Sequence, residues 1–230
     1  MTTTEAPIEL SREPDPAGKP QASGAGAQAA PAPDELAGRR LSPEGLLERR
    51  RTAETAYVFD VRDVDAFRDG HLPGAYSLPF EHLQSNLHRL PFSGDLIFYD
   101  GGEGLAAQAA RLLHDNGFTE QYFLEEGYAA LKEALERSTE EVHFERLPPE
   151  ERHQAIEKVL DAKVRDFLAR DGGGLEVKSI EDNRVLVEYF GACGGCGSST
   201  AGTLRFIQGA LTIALNHEIE VVPAGEGVPD

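Results

Sequence analysis

Cys193 and Cys196 are the only cysteines in the chain, and Gly194 and Gly195 alone separate them. Two intervening residues let both thiolates face one metal centre. The run Gly191-Ala192-Cys193-Gly194-Gly195-Cys196-Gly197 allows tight backbone bends and leaves amide N–H groups free to point at sulfur. Ser199 or Thr200 is expected to cap a following helix, whose positive end favours thiolate over thiol. Zinc and iron–sulfur centres take about four protein ligands, so one chain supplies half a set. Two chains about a twofold axis would supply the whole, or a partner would finish a labile site. Cys193 and Cys196 are therefore the candidate cofactor-binding and metal-ligating residues, with an iron–sulfur cluster as the expected group. A half-owned cluster suits transfer, because separating the halves releases it. The residues alone leave two rivals open, a thioredoxin-like redox pair and half of a structural zinc site.

The elements that must position these thiols can be read from periodicity. Val185, Val187 and Tyr189 alternate, as do Leu175 and Val177, with Glu181-Asp182-Asn183 between the two runs, a hairpin pattern. Leu204, Ile207, Leu211 and Leu215 mark the helix after the cysteines, and Val221-Val222 a last strand. Before the hairpin, Ile156, Val159, Leu160, Val164, Phe167 and Leu168 recur at helical spacing, and Asp171-Gly172-Gly173-Gly174 ends that helix.

A different unit precedes this one. Ser42-Pro43 reads as an N-cap with proline at the first helical position. Tyr57-Val58-Phe59, Leu96-Ile97-Phe98-Tyr99 and Tyr122-Phe123-Leu124 are short apolar runs with the look of buried strands. Leu105 to His114 has helical spacing and closes at Asn116-Gly117. Helices alternating with such strands predict a parallel sheet. The expected organisation is an Ala/Pro/Gly-rich disordered tail over 1–38, an α/β domain over 39–138, and a linker over 139–149. A smaller α+β domain over 150–223 and a short tail over 224–230 complete it.

Acidic residues number 40 against 22 basic ones, for a formal net charge of -18. Such a surface repels phosphate backbones and anionic headgroups, so nucleic acid and membrane are not expected partners. No stretch approaches the roughly 18 consecutive apolar residues of a spanning helix. The opening residues lack a basic region followed by an apolar run, so no signal peptide is read and the cytoplasm is the expected location. Two close cysteines are no disulfide framework.

Residues about 151–223 resemble the NifU C-terminal (Nfu-type) domain. The resemblance is carried by Asp171-Gly172-Gly173 after the first helix and by Gly191-Ala192-Cys193-Gly194-Gly195-Cys196 followed by Ser198-Ser199-Thr200. It implies a cluster, commonly [4Fe–4S], shared across a homodimer. It also implies apo iron–sulfur proteins and cluster-assembly proteins as partners. Gly197 stands where that family often has proline.

Residues about 42–135 resemble a rhodanese domain, through Val58-Phe59-Asp60-Val61-Arg62, Gly70-His71-Leu72-Pro73-Gly74-Ala75 and Leu78-Pro79. The family transfers sulfur through a cysteine persulfide at the start of the loop after a central strand. Here that strand is Leu96–Tyr99 and the nucleophile position falls on Asp100, a carboxylate that carries no sulfane sulfur. Asp100 and Glu103 are expected to repel an anionic donor. Glu126 replaces a usual glycine and Leu131 a common tryptophan. The expectation is a non-enzymatic domain retained for docking or dimerisation. His71 is expected to fix its turn rather than act as a base, His217 to sit at a helix end, and Asp60/Arg62 to form a local ion pair.

Overall fold

Tyr57-Val58-Phe59 and Leu96–Tyr99 become adjacent strands because neither has a polar side to give to water. The structure, a computed structural model, describes residues 36–53, 55–170, 172–191 and 197–224. Residues 1–35 of the tail expected over 1–38, residues 225–230 of the tail expected over 224–230, and Cys193 and Cys196 themselves, lie outside the described residues. Residues 36–70 and 76–131 cluster into one unit, and 132–224 with 71–75 into another.

The first unit runs β1 (Arg40–Leu41), α1 (Pro43–Thr52), β2 (Ala56–Asp60), α2 (Val64–Asp69), β3 (Tyr76–Ser77), α3 (Phe80–Asn86), β4 (Asp95–Tyr99), α4 (Leu105–Asp115), β5 (Gln121–Leu124) and α5 (Tyr128–Arg137), the last crossing into the second unit. Its sheet has the order β1-β5-β4-β2-β3 and every pairing is parallel, with Phe59 opposite Phe98. All four residues of β5 and the last four of β4 are buried. Such continuous burial is what helices on both faces of a parallel sheet produce. Phe59, Leu96, Phe98, Ala109 and Leu113 centre the core, each buried Phe or Leu side chain worth about 1.5–3 kcal/mol.

Ser42 caps α1 by accepting the Gly45 amide at 3.1 Å, as its position before Pro43 predicts. The end of α4 is also as expected. Gly117 is left-handed (φ 89°), its amide donates to the His114 carbonyl, and the Phe118 amide donates to the Leu113 carbonyl. From β2 the chain moves outward to β3, whereas from β4 it moves the other way to β5. The crevice beyond the carboxyl ends of β2 and β4 is thus a topological switch point, where open α/β sheets place their sites.

The second unit runs α6 (Pro149–Lys163), α7 (Arg165–Arg170), β6 (Gly173–Glu181), β7 (Arg184–Gly191), α8 (Gly197–Leu215) and β8 (Glu220–Pro223). Strands β6 and β7 form the expected antiparallel hairpin, and β8 adds parallel to β7. Ile156, Leu160, Val164, Leu168, Val185, Val187, Ile207 and Leu211 make its core with the helices on one face of the sheet.

Three features differ from the sequence reading. The helix expected through 156–168 breaks at Val164 (φ -119°), which ends α6 while staying buried. Phe167, counted among its apolar positions, is consequently 46% exposed and packs on Phe206 at 5.0 Å. The segment expected as a linker carries Phe144, which is 2% exposed, belongs to the second core and stacks on His217 at 5.6 Å. An apolar aromatic cannot be left in water by a linker when a groove 70 residues downstream accepts it. Among the described residues no helix is long and apolar enough to cross a membrane.

Candidate functional site

Strand β7 ends at Gly191 and helix α8 begins at Gly197, so Cys193 and Cys196 occupy the five-residue connection between hairpin and helix. Gly191 pairs with Gly173 across the hairpin and holds φ 72°. A Cβ there would lie 2.3 Å from the Gly172 carbonyl oxygen. Only glycine satisfies both the left-handed backbone and this approach. The chain therefore leaves β7 in a direction set by two glycines, Gly172 and Gly191, immediately before the cysteine segment. Gly191→Ala is expected to destabilise this unit by about 2 kcal/mol or more in urea titrations.

Because α8 starts at Gly197, Ser199 and Thr200 fall inside its first turn and not at the cap position expected of them. A cap residue must lie outside the helix to return its oxygen to the first amides. At the far end, Asn216 holds φ 48° and donates from its side-chain amide to Glu141 at 2.7 Å and to the Val142 carbonyl at 3.1 Å. His217 follows it, near the helix end as expected, with Glu145 at 3.6 Å. Among the described residues no group of three or more His, Cys, Asp or Glu side chains is placed to hold a metal ion.

The switch-point crevice of the first unit has its own constellation. Asp60, fully buried, receives Nε of Arg62 at 2.9 Å and Nη2 at 2.5 Å. Nη2 of Arg62 also donates to the Gly70 carbonyl at 2.7 Å, and the guanidinium lies 4.2 Å from the Tyr128 ring centre. Burial acts to lower the Arg62 pKa, but the Asp60 hydrogen bond and charge outweigh it and hold the group above its usual value. The expected local ion pair is thus a bidentate strut that ties β2 to the turn before His71. His71 is half-buried on that turn.

Asp100, the first residue beyond β4, is also fully buried. Its Oδ1 accepts the Gly102 amide at 2.7 Å and its Oδ2 the Ala106 amide at 2.9 Å. Ala106 sits in the first turn of α4, whose preceding residue, Gly104, offers no side-chain cap. Asp100 therefore caps that helix from six residues away. Glu103 reaches back to accept the Gly101 amide at 2.9 Å. The Tyr128 amide donates to the Asp100 carbonyl at 2.7 Å. Gly127, at φ 82°, lets the following turn press on the loop, since a Cβ would come 2.6 Å from the Gly102 nitrogen. The loop's amides thus meet the chain's own carboxylates. Sequence reading anticipated repulsion of an anion by Asp100 and Glu103 but missed this capping, for which only the Asp100-to-Ala106 spacing gave a sign.

The family model for the rhodanese-like domain matches residues 42–134, and that for the NifU-like domain matches residues 156–222. The chain joins a rhodanese-like domain to a NifU-like domain. Both cysteines fall within the NifU-like match, and the rhodanese-like domain contains none. The chain is 41% identical over 66 residues to the nitrogen fixation protein NifU of Nostoc sp., covering 29% of this chain and 22% of that protein. It is 34% identical over 85 residues to the centrosomal protein of 41 kDa of Homo sapiens, covering 32% of this chain and 22% of the relative. The crystal structure of the Alr3790 protein from Anabaena sp. matches with TM-score 0.37 and 31% identity, over 40% of this chain and 84% of that one. The chain spans between 22% and 59% of the length of the NifU relatives it matches. The α/β rhodanese-like fold, a parallel sheet flanked by helices, and the smaller α+β NifU-like region both agree with the sequence reading.

Proposed function

We propose that this protein is a scaffold and carrier for iron–sulfur clusters, which binds its cargo through Cys193 and Cys196 and passes it to apo iron–sulfur proteins. The observation that carries this reading is the paired cysteines within the NifU-like match over 156–222. The cargo is a [4Fe–4S] cluster held between two copies, because two thiolates are half of the roughly four that such a cluster takes. The beginning of α8 right after Cys196 supports it, since the amides of a helix's first turn stabilise thiolates. The rhodanese-like domain serves in docking and not in catalysis, with Asp100 in the nucleophile position.

Anaerobic reconstitution with iron and sulfide tests the reading, followed by Mössbauer spectroscopy and mass in solution. A cubane signal on a dimer is expected. Zinc without acid-labile sulfide, or a cluster-free monomer, would overturn it. The exposed Phe167–Phe206 pair supports the second copy as an occupant, because it is an apolar patch on the domain whose metal site one chain leaves half complete. Phe206→Asp is expected to weaken dimerisation about tenfold or more in sedimentation velocity runs, with loss of an aromatic anchor and burial of a charge.

A further inference from the structure

Strands β6, β7 and β8 pack their helices on one face. Alternation along β7 sends Val185 and Val187 to that face, where both are fully buried, and Leu186, Glu188 and Phe190 to the other. Phe190 is 57% exposed, more than any other large apolar side chain described in this domain. Its partner across the hairpin is Gly174, where a Cβ would come 2.3 Å from the Phe190 ring. The missing side chain lets the ring settle against the strand backbone, and an aromatic held in this way loses little freedom on binding. Cys193 follows three residues later, so its Cα lies within about 11 Å of that of Phe190 by chain length alone.

The face around the ring is acidic. Glu188 stands opposite Glu176, and Lys178 bridges the two at 2.6 and 2.9 Å. Farther along, Arg184 is in register with Glu181 on one side and Glu220 on the other. Four carboxylates thus share two cations. Leu186 and Val222, opposite each other on β7 and β8, lie between the two groups. A second copy would bring the same excess of carboxylates on a chain of net charge -18, and like charges facing each other disfavour it here. Phe167 and Phe206, by contrast, belong to α7 and α8 on the helix side.

We propose that this open face, centred on Phe190, docks the apo-protein that receives the cluster, through an apolar side chain of that protein flanked by lysine or arginine. The inference rests on the carrier reading above and adds to it the chemistry by which an acceptor is recognised. The ring supplies the apolar anchor, and the excess carboxylates select and steer a basic rim. An acceptor on the sheet side leaves the helix side to the second copy.

The probe is a fluorescent peptide in which a short segment of alternating lysine and leucine precedes four cysteines able to hold a [4Fe–4S] cluster. Titrated with the full chain and followed by anisotropy, it should bind Phe190→Ser about tenfold more weakly than the wild type. It should bind Phe92→Ser as well as the wild type, although that ring is 76% exposed on the other domain. Raising salt from about 0.05 M to about 0.5 M should weaken binding, and glutamate in place of the lysines should abolish it. Glu188→Lys, a change on an exposed side chain, should weaken binding by a similar factor and carries the test if Phe190→Ser does not fold. Equal binding to the wild type and to these variants would overturn the proposal. A fall of Phe190→Ser from dimer to monomer in sedimentation velocity runs would also overturn it, and would assign the face to a second copy. Cluster loading is read separately. Phe190→Ser should load as the wild type does and pass its cluster to the peptide about tenfold more slowly, and an unchanged rate would overturn the proposal. A wild type that takes up no cluster would instead overturn the carrier reading, whatever the peptide shows.

Discussion

Cys193→Ser is expected to hold iron and acid-labile sulfide only at background after anaerobic reconstitution. Iron in these clusters selects soft thiolate donors, and a serine hydroxyl stays protonated where a thiol ionises. In a shared site the loss is doubled, since each copy forfeits one ligand and two of about four remain. The described core of the NifU-like domain, from Ile156 to Val221, is formed without this residue. The variant should therefore keep its circular dichroism and lose only its cargo. Mixing makes the test sharper. With equal amounts of wild type and a Cys193→Ser/Cys196→Ser chain, a shared site leaves only about a quarter of dimers able to bind. A site owned by one chain would retain about half. The second result would remove the bridging copy from the proposed function and leave the cysteines as ligands.

The candidate ligands of this site are a reading of residue type and spacing, because what two thiolates can offer a metal is a local property of a few residues. The strands β2, β4 and β5 were legible for a related reason, since burial on both faces writes itself as an unbroken apolar run. The short helices α2 and α3 were not, being six and seven residues long, too brief for a period to show. Asp63 caps α2 by accepting the Ala66 amide at 2.7 Å, a signal that one carboxylate among 40 acidic residues does not announce. The break at Val164 was hidden because Ile156, Leu160, Val164 and Leu168 all reach the core as an uninterrupted helix would place them. Arg165 secures the break by pairing with Asp161 and with Glu157, the latter at 2.7 Å. Phe144 and Asp100 share another difficulty. Their partners, His217 and the amides of Gly102 and Ala106, are fixed by tertiary packing and by a loop bend that no periodicity encodes.

Asp100→Ala is expected to destabilise the rhodanese-like domain by about 3–6 kcal/mol, since each of two hydrogen bonds to a buried carboxylate contributes about 1.5–3 kcal/mol. The two donors, Gly102 and Ala106, would keep their desolvation and lose their acceptor. The first turn of α4 would also lose the negative charge that its dipole favours. A domain's whole stability is about 5–15 kcal/mol, so the urea transition of this unit should move far or vanish, while that of the NifU-like unit stays. Asp100→Asn keeps one acceptor and should cost about half as much. A change below about 1 kcal/mol for Asp100→Ala would mean that the loop finds other acceptors and that Asp100 is not its cap. The same geometry sets what a thiol in this position would do. Asp100→Cys puts a thiol where the Gly102 and Ala106 amides converge, and Glu103→Gly frees the Gly101 amide. The double variant should cleave thiosulfate with sulfite leaving, hold the sulfane sulfur on the new thiol and release it to cyanide as thiocyanate. Asp100→Cys alone should do so more weakly, with the Glu103 carboxylate still beside the incoming anion. Thiocyanate formation above the wild-type level in the double variant would mean that the loop keeps a competent amide cradle and lacks only its nucleophile. Its absence in a folded double variant would mean that the cradle has been lost as well, leaving docking as the domain's function.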